Sequence, residues 1–207
     1  VHDIKVKDAH LWDNHHPYLY QLFVELRDQG GQLLEVVPYR FGFRRVEINA
    51  DHVVLLNGQR LIINGVNRHE WNCRTGRCVT MADMEQDMAT FKENNINAVR
   101  TCHYSDQIPW YYMCDQEGIY MMAENNLETH ATWQKMGQDE PSFNVPGSIP
   151  QWREVVVDRA RTNYETFKNH TAILFWSLGN ESYAGDNLVA MQEFYKDHDD
   201  SRLVHYE

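Results

Sequence analysis

The stretch Ile173-Leu174-Phe175-Trp176 has the make-up of a strand buried on both faces, and it runs through Ser177-Leu178 into Gly179-Asn180-Glu181. A bare carboxylate at the end of such a strand is costly unless it is paired or left partly wet. Glu181 therefore calls for either a helix cap or a reaction. The cap reading is the weaker one, because Asp186-Asn187 stand closer to the start of the next helical pattern. Similar endings recur upstream: Asn67-Arg68-His69-Glu70, then Arg100-Thr101-Cys102-His103-Tyr104, then Glu124-Asn125-Asn126-Leu127-Glu128-Thr129-His130. One histidine after a strand is usually a hydrogen-bonded loop residue. Four consecutive strand ends with ionisable side chains point instead to one shared mouth, where a parallel α/β fold collects its catalytic groups. Glu128 and His130 stand two apart, so an extended backbone turns them to the same side.

These groups need a frame. From residue 60 onward, strand and helix patterns alternate: a strand over 60–67, a helix over 80–95, a strand over 96–101 and a helix over 106–118. A strand over 119–125, a long polar loop over 131–151, a helix over 151–170, a strand over 172–180 and a helix over 186–199 follow, and Leu203 to Glu207 begin a fifth strand. Met84, Met88 and Phe91 fall on one face of the first helix, with Thr80 or Asp83 as its cap. Pro109 opens the second helix and Gly118 stops it. Four such units in series predict a parallel sheet with helices outside. Before residue 60 the pattern is short extended runs and turns, with Leu22, Val24 and Leu26 on one side and Gly30-Gly31 at a hairpin turn. That part reads as the tail of an antiparallel β-sandwich, so the chain divides into residues 1–59 and 60–207.

Composition narrows the function. The 207 residues are 43% hydrophobic and 12% aromatic, which is globular, and carry a formal charge of −11. An acidic surface argues against a nucleic acid or an anionic membrane as partner. No apolar run approaches the roughly 20 residues of a membrane span, and the N-terminus shows no leader pattern. Cys73, Cys78, Cys102 and Cys114 form no CxxC pair, so free thiols in a reducing cytoplasm are expected, and the spacing of Cys73 and Cys78 suits zinc poorly.

Two long stretches, NAVRTCHYSDQIPWYYMCDQEGIYMM (97–122) and KNHTAILFWSLGNES (168–182), resemble the signature regions of the family 2 glycoside hydrolases. NLETH (126–130) narrows the resemblance toward the bacterial β-galactosidases of that family, and GVNRHE (65–70) and LWDNHHPYLYQLFVEL (11–26) fit it too. β-Glucuronidases share the two outer motifs. The resemblance implies an α/β fold: the first half of a (β/α)8 TIM barrel, preceded by the C-terminal strands of an immunoglobulin-like β-sandwich. It implies hydrolysis of terminal non-reducing β-D-galactosides, lactose among them, by a retaining double displacement. Glu181 would be the general acid/base, and Asn180 would hold the sugar 2-hydroxyl. Arg100, His69 and His103 would shape the galactosyl site. Glu128, His130 and Glu181 would ligate Mg²⁺, with Na⁺ a further ion of the complete enzyme. Magnesium prefers oxygen, so His130 bonded to Glu128 without metal stays open as an alternative. Trp71 and Trp133 would stack on sugar faces or simply pack.

Ser105, Ala123 and the pair Trp71-Asn72 depart from the family pattern, the last leaving nearby substrate contacts open. In the family the nucleophile lies several tens of residues past the acid/base, on a later barrel strand. This chain is therefore expected to lack it, to be inactive alone, and to need the rest of the barrel or a complementing chain; a non-catalytic role in assembly or galactoside binding is the other reading. Open sheet edges predict self-association as a homo-oligomer, or a swap of LVHYE (203–207) between copies.

Overall fold

The structure, a computed structural model, describes residues 5–132 and 144–207, so Trp133 lies outside the described residues. Two antiparallel units come first. Strands β1 (Tyr20–Arg27) and β2 (Leu33–Phe41) form a hairpin, and β3 (Val46–Ile48), β4 (Val54–Leu56) and β5 (Gln59–Arg60) form a three-stranded sheet. Five parallel strands follow, in the spatial order β10-β9-β8-β7-β6: β6 (Gly65–Arg68), β7 (Ala98–Thr101), β8 (Tyr120–Glu124), β9 (Ile173–Ser177) and β10 (Leu203–His205). Helices α1 (Met81–Glu93), α2 (Ile108–Glu117), α3 (Arg153–Phe167) and α4 (Asp186–His198) make the crossovers. Each strand pairs with its predecessor, as the successive βα units of a barrel do.

The strands alternate between two environments. Val99, Met121 and Trp176 are buried, whereas Arg100, Met122 and Phe175 pair side by side and are half-buried. This second row faces a groove of about 450 Å³ that Asn67, His205 and Glu207 also line. Arg100 is thus the charged member of an otherwise largely apolar row, close to the ends that carry the chemistry.

Two local readings change, and the cap expected at α1 is found. The strand expected over 60–67 is interrupted, because the Asn97 side chain accepts from the Asn64 amide at 2.7 Å and donates to the Ile62 carbonyl at 2.9 Å. These bonds take backbone groups out of a ladder, and parallel pairing starts only at Gly65. At α1 both candidate caps act together: Thr80 is the N-cap and Asp83 returns a bond to its amide, a capping box. At α4 neither Asp186 nor Asn187 caps. Gly185 holds that position, and Asn187 donates to the carbonyls of Pro146 and Ile149, both at 2.8 Å.

The N-terminal segment closes the sheet end opposite the mouth. Trp12 is fully buried, donates from Nε1 to the Asp115 carbonyl at 2.8 Å and meets Tyr120 edge-on. Gly118, with φ +72°, lets Asn14 approach; a Cβ there would lie 2.8 Å from the Asn14 Cα. Arg44 donates to the carbonyls of Thr171 and Ile173 at the start of β9. The hairpin itself leaves Leu22, Val24 and Leu26 exposed.

Candidate active site

Glu124 ends β8 with no solvent exposure, yet its carboxylate is saturated. Arg100 Nε donates to Oε2 at 2.6 Å, Ser177 Oγ to the same oxygen at 2.7 Å, and His103 Nδ1 to Oε1 at 2.8 Å. Adjacent strands place these donors: Arg100 from β7, Ser177 from β9 and His103 from the turn after β7. A buried ion is tolerated when charge and hydrogen bonds are both met. Arg100 then reaches on. Its second guanidinium nitrogen donates to Asn180 Oδ1 at 2.8 Å and lies 3.1 Å from Glu207 Oε1.

Asn180 is fixed from three sides. Besides Arg100, its amide Nδ2 donates to Glu128 Oε1 at 3.0 Å, and its backbone N–H donates to the Leu127 carbonyl at 2.8 Å. Gly179 is required for that approach: its φ is +149°, and a Cβ would sit 2.6 Å from the Leu127 carbonyl oxygen. Glu181 follows with φ +37°, sparsely populated for a non-glycine residue. Tyr206 braces the turn, accepting from the Ser182 amide at 3.0 Å and donating to the Ser182 carbonyl. Burial pushes the Tyr206 phenol up, which keeps it a donor.

The Glu181 side chain is 57% exposed. His130 Nδ1 lies 3.2 Å from its Oε2 and 3.5 Å from Glu128 Oε1. Potential ligand atoms of Glu128, His130 and Glu181 all fall within 4.8 Å of one another. Two carboxylates and one imidazole can hold a divalent cation, the carboxylates suiting a hard ion and the imidazole less so.

His69 meets His103 edge-on, ring centroids 5.2 Å apart. The anticipated residues Glu181, Asn180, Arg100, His103, His69, Glu128 and His130 thus gather around one mouth. Trp71 is exposed nearby in sequence and has no ring contact with them among the described residues. Beneath them Cys102 is buried, and desolvation pushes its thiol up to about 11 despite the pull of Arg100. Arg68 anchors the base of the site, donating to Asp106 at 2.7 Å and Asp87 at 2.9 Å and lying over the Trp110 ring.

Sequence reasoning assigned no role to Glu124, Ser177 or Tyr206. Glu124 had a signal, a carboxylate closing an apolar strand just as Glu181 does. Tyr206 had none, since its partner is 24 residues away.

Comparison with known proteins places the fold. Residues 46–207 match the family model "Glycosyl hydrolases family 2, TIM barrel domain", and residues 1–44 match that of "Glycosyl hydrolases family 2". The chain is 76% identical over 202 residues to a β-galactosidase large subunit of Lactobacillus acidophilus, covering 98% of this chain and 32% of that protein. It is 72% identical over 207 residues to the β-galactosidase large subunit of Lactobacillus helveticus, covering all of this chain and 33% of the relative. The chain thus spans about a third of the length of these relatives. Among solved structures, a β-D-glucuronidase of Dictyoglomus thermophilum superposes with a TM-score of 0.86 at 22% identity, over 97% of this chain and 35% of that one, which shows a shared fold. The parallel βα sheet and these matches together place the chain in glycosyl hydrolase family 2, most of it within that family's TIM-barrel domain.

Proposed function

We propose that this chain supplies the acid/base side of a retaining β-galactosidase, acting on terminal β-D-galactosides such as lactose within a longer or complemented protein. The convergence of Glu181 with the braced Asn180–Arg100–Glu124 chain at the strand ends carries this reading. The curated relatives' names support galactoside over glucuronide, and the name "large subunit" supports a smaller complementing chain as partner. The exposed Leu22, Val24 and Leu26 of the β1–β2 hairpin support association between copies. Four free cysteines suit a reducing, cytoplasmic setting.

Glu181 donates a proton to the glycosidic oxygen as the aglycone leaves, then takes one from the water that attacks the glycosyl intermediate. Its exposure lets it meet both. Asn180 has one amide N–H and one carbonyl lone pair left after its bonds to Glu128 and Arg100. Those remaining groups take the sugar 2-hydroxyl, a contact that strengthens as oxocarbenium character grows. Glu124 keeps Arg100 and His103 aimed, so no reorganisation is needed during the reaction. The nucleophile comes from outside this chain. Glu128, His130 and Glu181 would hold a magnesium ion, which when bound supplies a fixed positive charge beside the acid carboxyl. Sodium belongs, in this reading, to the complete enzyme.

The test compares Glu181→Gln with wild type in the full-length protein. Lactose hydrolysis should fall by about 10²–10⁴-fold. The first step with a dinitrophenyl galactoside should fall far less, because that leaving group departs without protonation. Equal losses in the first step would show that Glu181 is not the acid.

A further inference from the structure

The mouth holds a second group of metal-capable side chains, apart from Glu128, His130 and Glu181. A ring nitrogen of His69, the sulfur of Cys102 and a ring nitrogen of His103 lie within 4.8 Å of one another. The chemistry differs sharply from that of the other cluster: two imidazoles and a thiol, with no oxygen donor. Such a set favours borderline and soft cations, zinc first, over magnesium.

His103 is already arranged as a ligand. Its Nδ1 faces the buried Glu124 carboxylate at 2.8 Å, so the proton sits on Nδ1 and the Nε2 lone pair is available. A carboxylate behind the distal nitrogen is the usual support of a metal-bound histidine. His69 is exposed beside it, its ring 5.2 Å away, and offers a nitrogen from the open side. Cys102, 1% exposed, forms the floor. Three protein ligands would leave the fourth tetrahedral position to water, facing the open mouth.

We propose that His69, Cys102 and His103 form a thiophilic divalent-metal site, and that zinc bound there keeps a galactoside away from His69 and His103. Binding exchanges the S–H bond for a sulfur–metal bond and releases the proton to water, with no change of oxidation state. The exclusion of sugar rests on the galactosidase reading; the metal site itself does not.

Cobalt(II) reports the site directly, through thiolate-to-metal absorption. It is titrated into the full-length protein with magnesium saturating, in a Cys73→Ser, Cys78→Ser background that removes the two exposed thiols of this chain. A thiolate–cobalt band displaced by zinc is expected, and it should vanish in Cys102→Ser and in Cys102→Ala, the second variant guarding against a folding defect in the first. No band, or a band unchanged by both substitutions, overturns the site. In turnover assays zinc should raise KM for the galactoside with kcat unchanged, and the inhibition constant should rise at least about tenfold in Cys102→Ser. A band accompanied by a fall in kcat at constant KM overturns the exclusion. A protein that shows the band but hydrolyses no galactoside keeps the metal site and overturns the proposed function, so the two failures are separable.

Discussion

Glu124 accepts from Arg100, Ser177 and His103 while fully buried, and that sets what its replacement must do. In Glu124→Gln the amide nitrogen would face at least one of these donors. An unsatisfied buried group costs about 1–3 kcal/mol, and an unpaired buried charge costs more. Arg100 and His103 would lose their aim, so kcat/KM in the full-length protein should fall by about 10²-fold or more. A variant within a factor of two of wild type would show that the hub is only structural. Asp106 allows a different prediction. Burial pushes its carboxyl up to about 7, against the pull of Arg68, and its Oδ1 has no partner among the described residues. Its folded-state pKa thus exceeds the unfolded value near 3.9. The folded chain keeps a proton that the unfolded chain releases, so this group makes stability fall as pH rises from about 4 to about 7. Chemical denaturation across that window should show stability falling with pH more steeply in wild type than in Asp106→Asn, and equal slopes would show that Asp106 does not hold the proton.

At the scale of elements, the turn after β9 decides where Glu181 points. Gly179 presses on the Leu127 carbonyl and the Asn180 amide bonds to it, which ties the β9 end to the NLETH segment. Gly179→Ala must push these backbones apart. Stability should fall by about 1–3 kcal/mol by denaturant titration, and activity should fall with it, since Asn180 and Glu181 move together. An alanine variant as stable as wild type would mean the turn yields freely. The same scale explains which boundaries could be read from sequence. Helix α1 was legible because Thr80, Asp83 and the Met84–Met88–Phe91 stripe are local signals. The break at 61–64 was not, because Asn97, over 30 residues away, captures the backbone groups concerned.

At the scale of the whole molecule, the parallel sheet has β6 and β10 as its edges, and its half-buried row looks into an open groove. The β1–β2 hairpin adds exposed Leu22, Phe23, Val24, Leu26 and Leu34. Unpaired edges and apolar area of this extent favour association. Expressed by itself, this stretch should therefore sediment as dimers or larger species at high micromolar concentration, and should hydrolyse no galactoside above a Glu181→Ala control. A monodisperse monomer would refute the association, and turnover above the control would place a nucleophile within these residues.

Sequence alone determined the alternation of strands and helices, and it named Glu181, Asn180, Arg100, His103, His69, Glu128 and His130, which the fold brings to one mouth, but not Glu124, Ser177 or Tyr206. Those signals are local: apolar runs, caps, punctuating glycines and the charged residues that follow each strand. Tertiary structure decided how the groups act on one another. The bonds from Arg100 to Asn180, across 80 residues, and from Ser177 to Glu124, across 53, exist only once β7, β8 and β9 lie side by side. The same packing brings Cys102 under the two histidines and Tyr206 against Ser182. No spacing in the chain encodes such contacts, because their geometry is set by strand register and by turns that position each side chain in space.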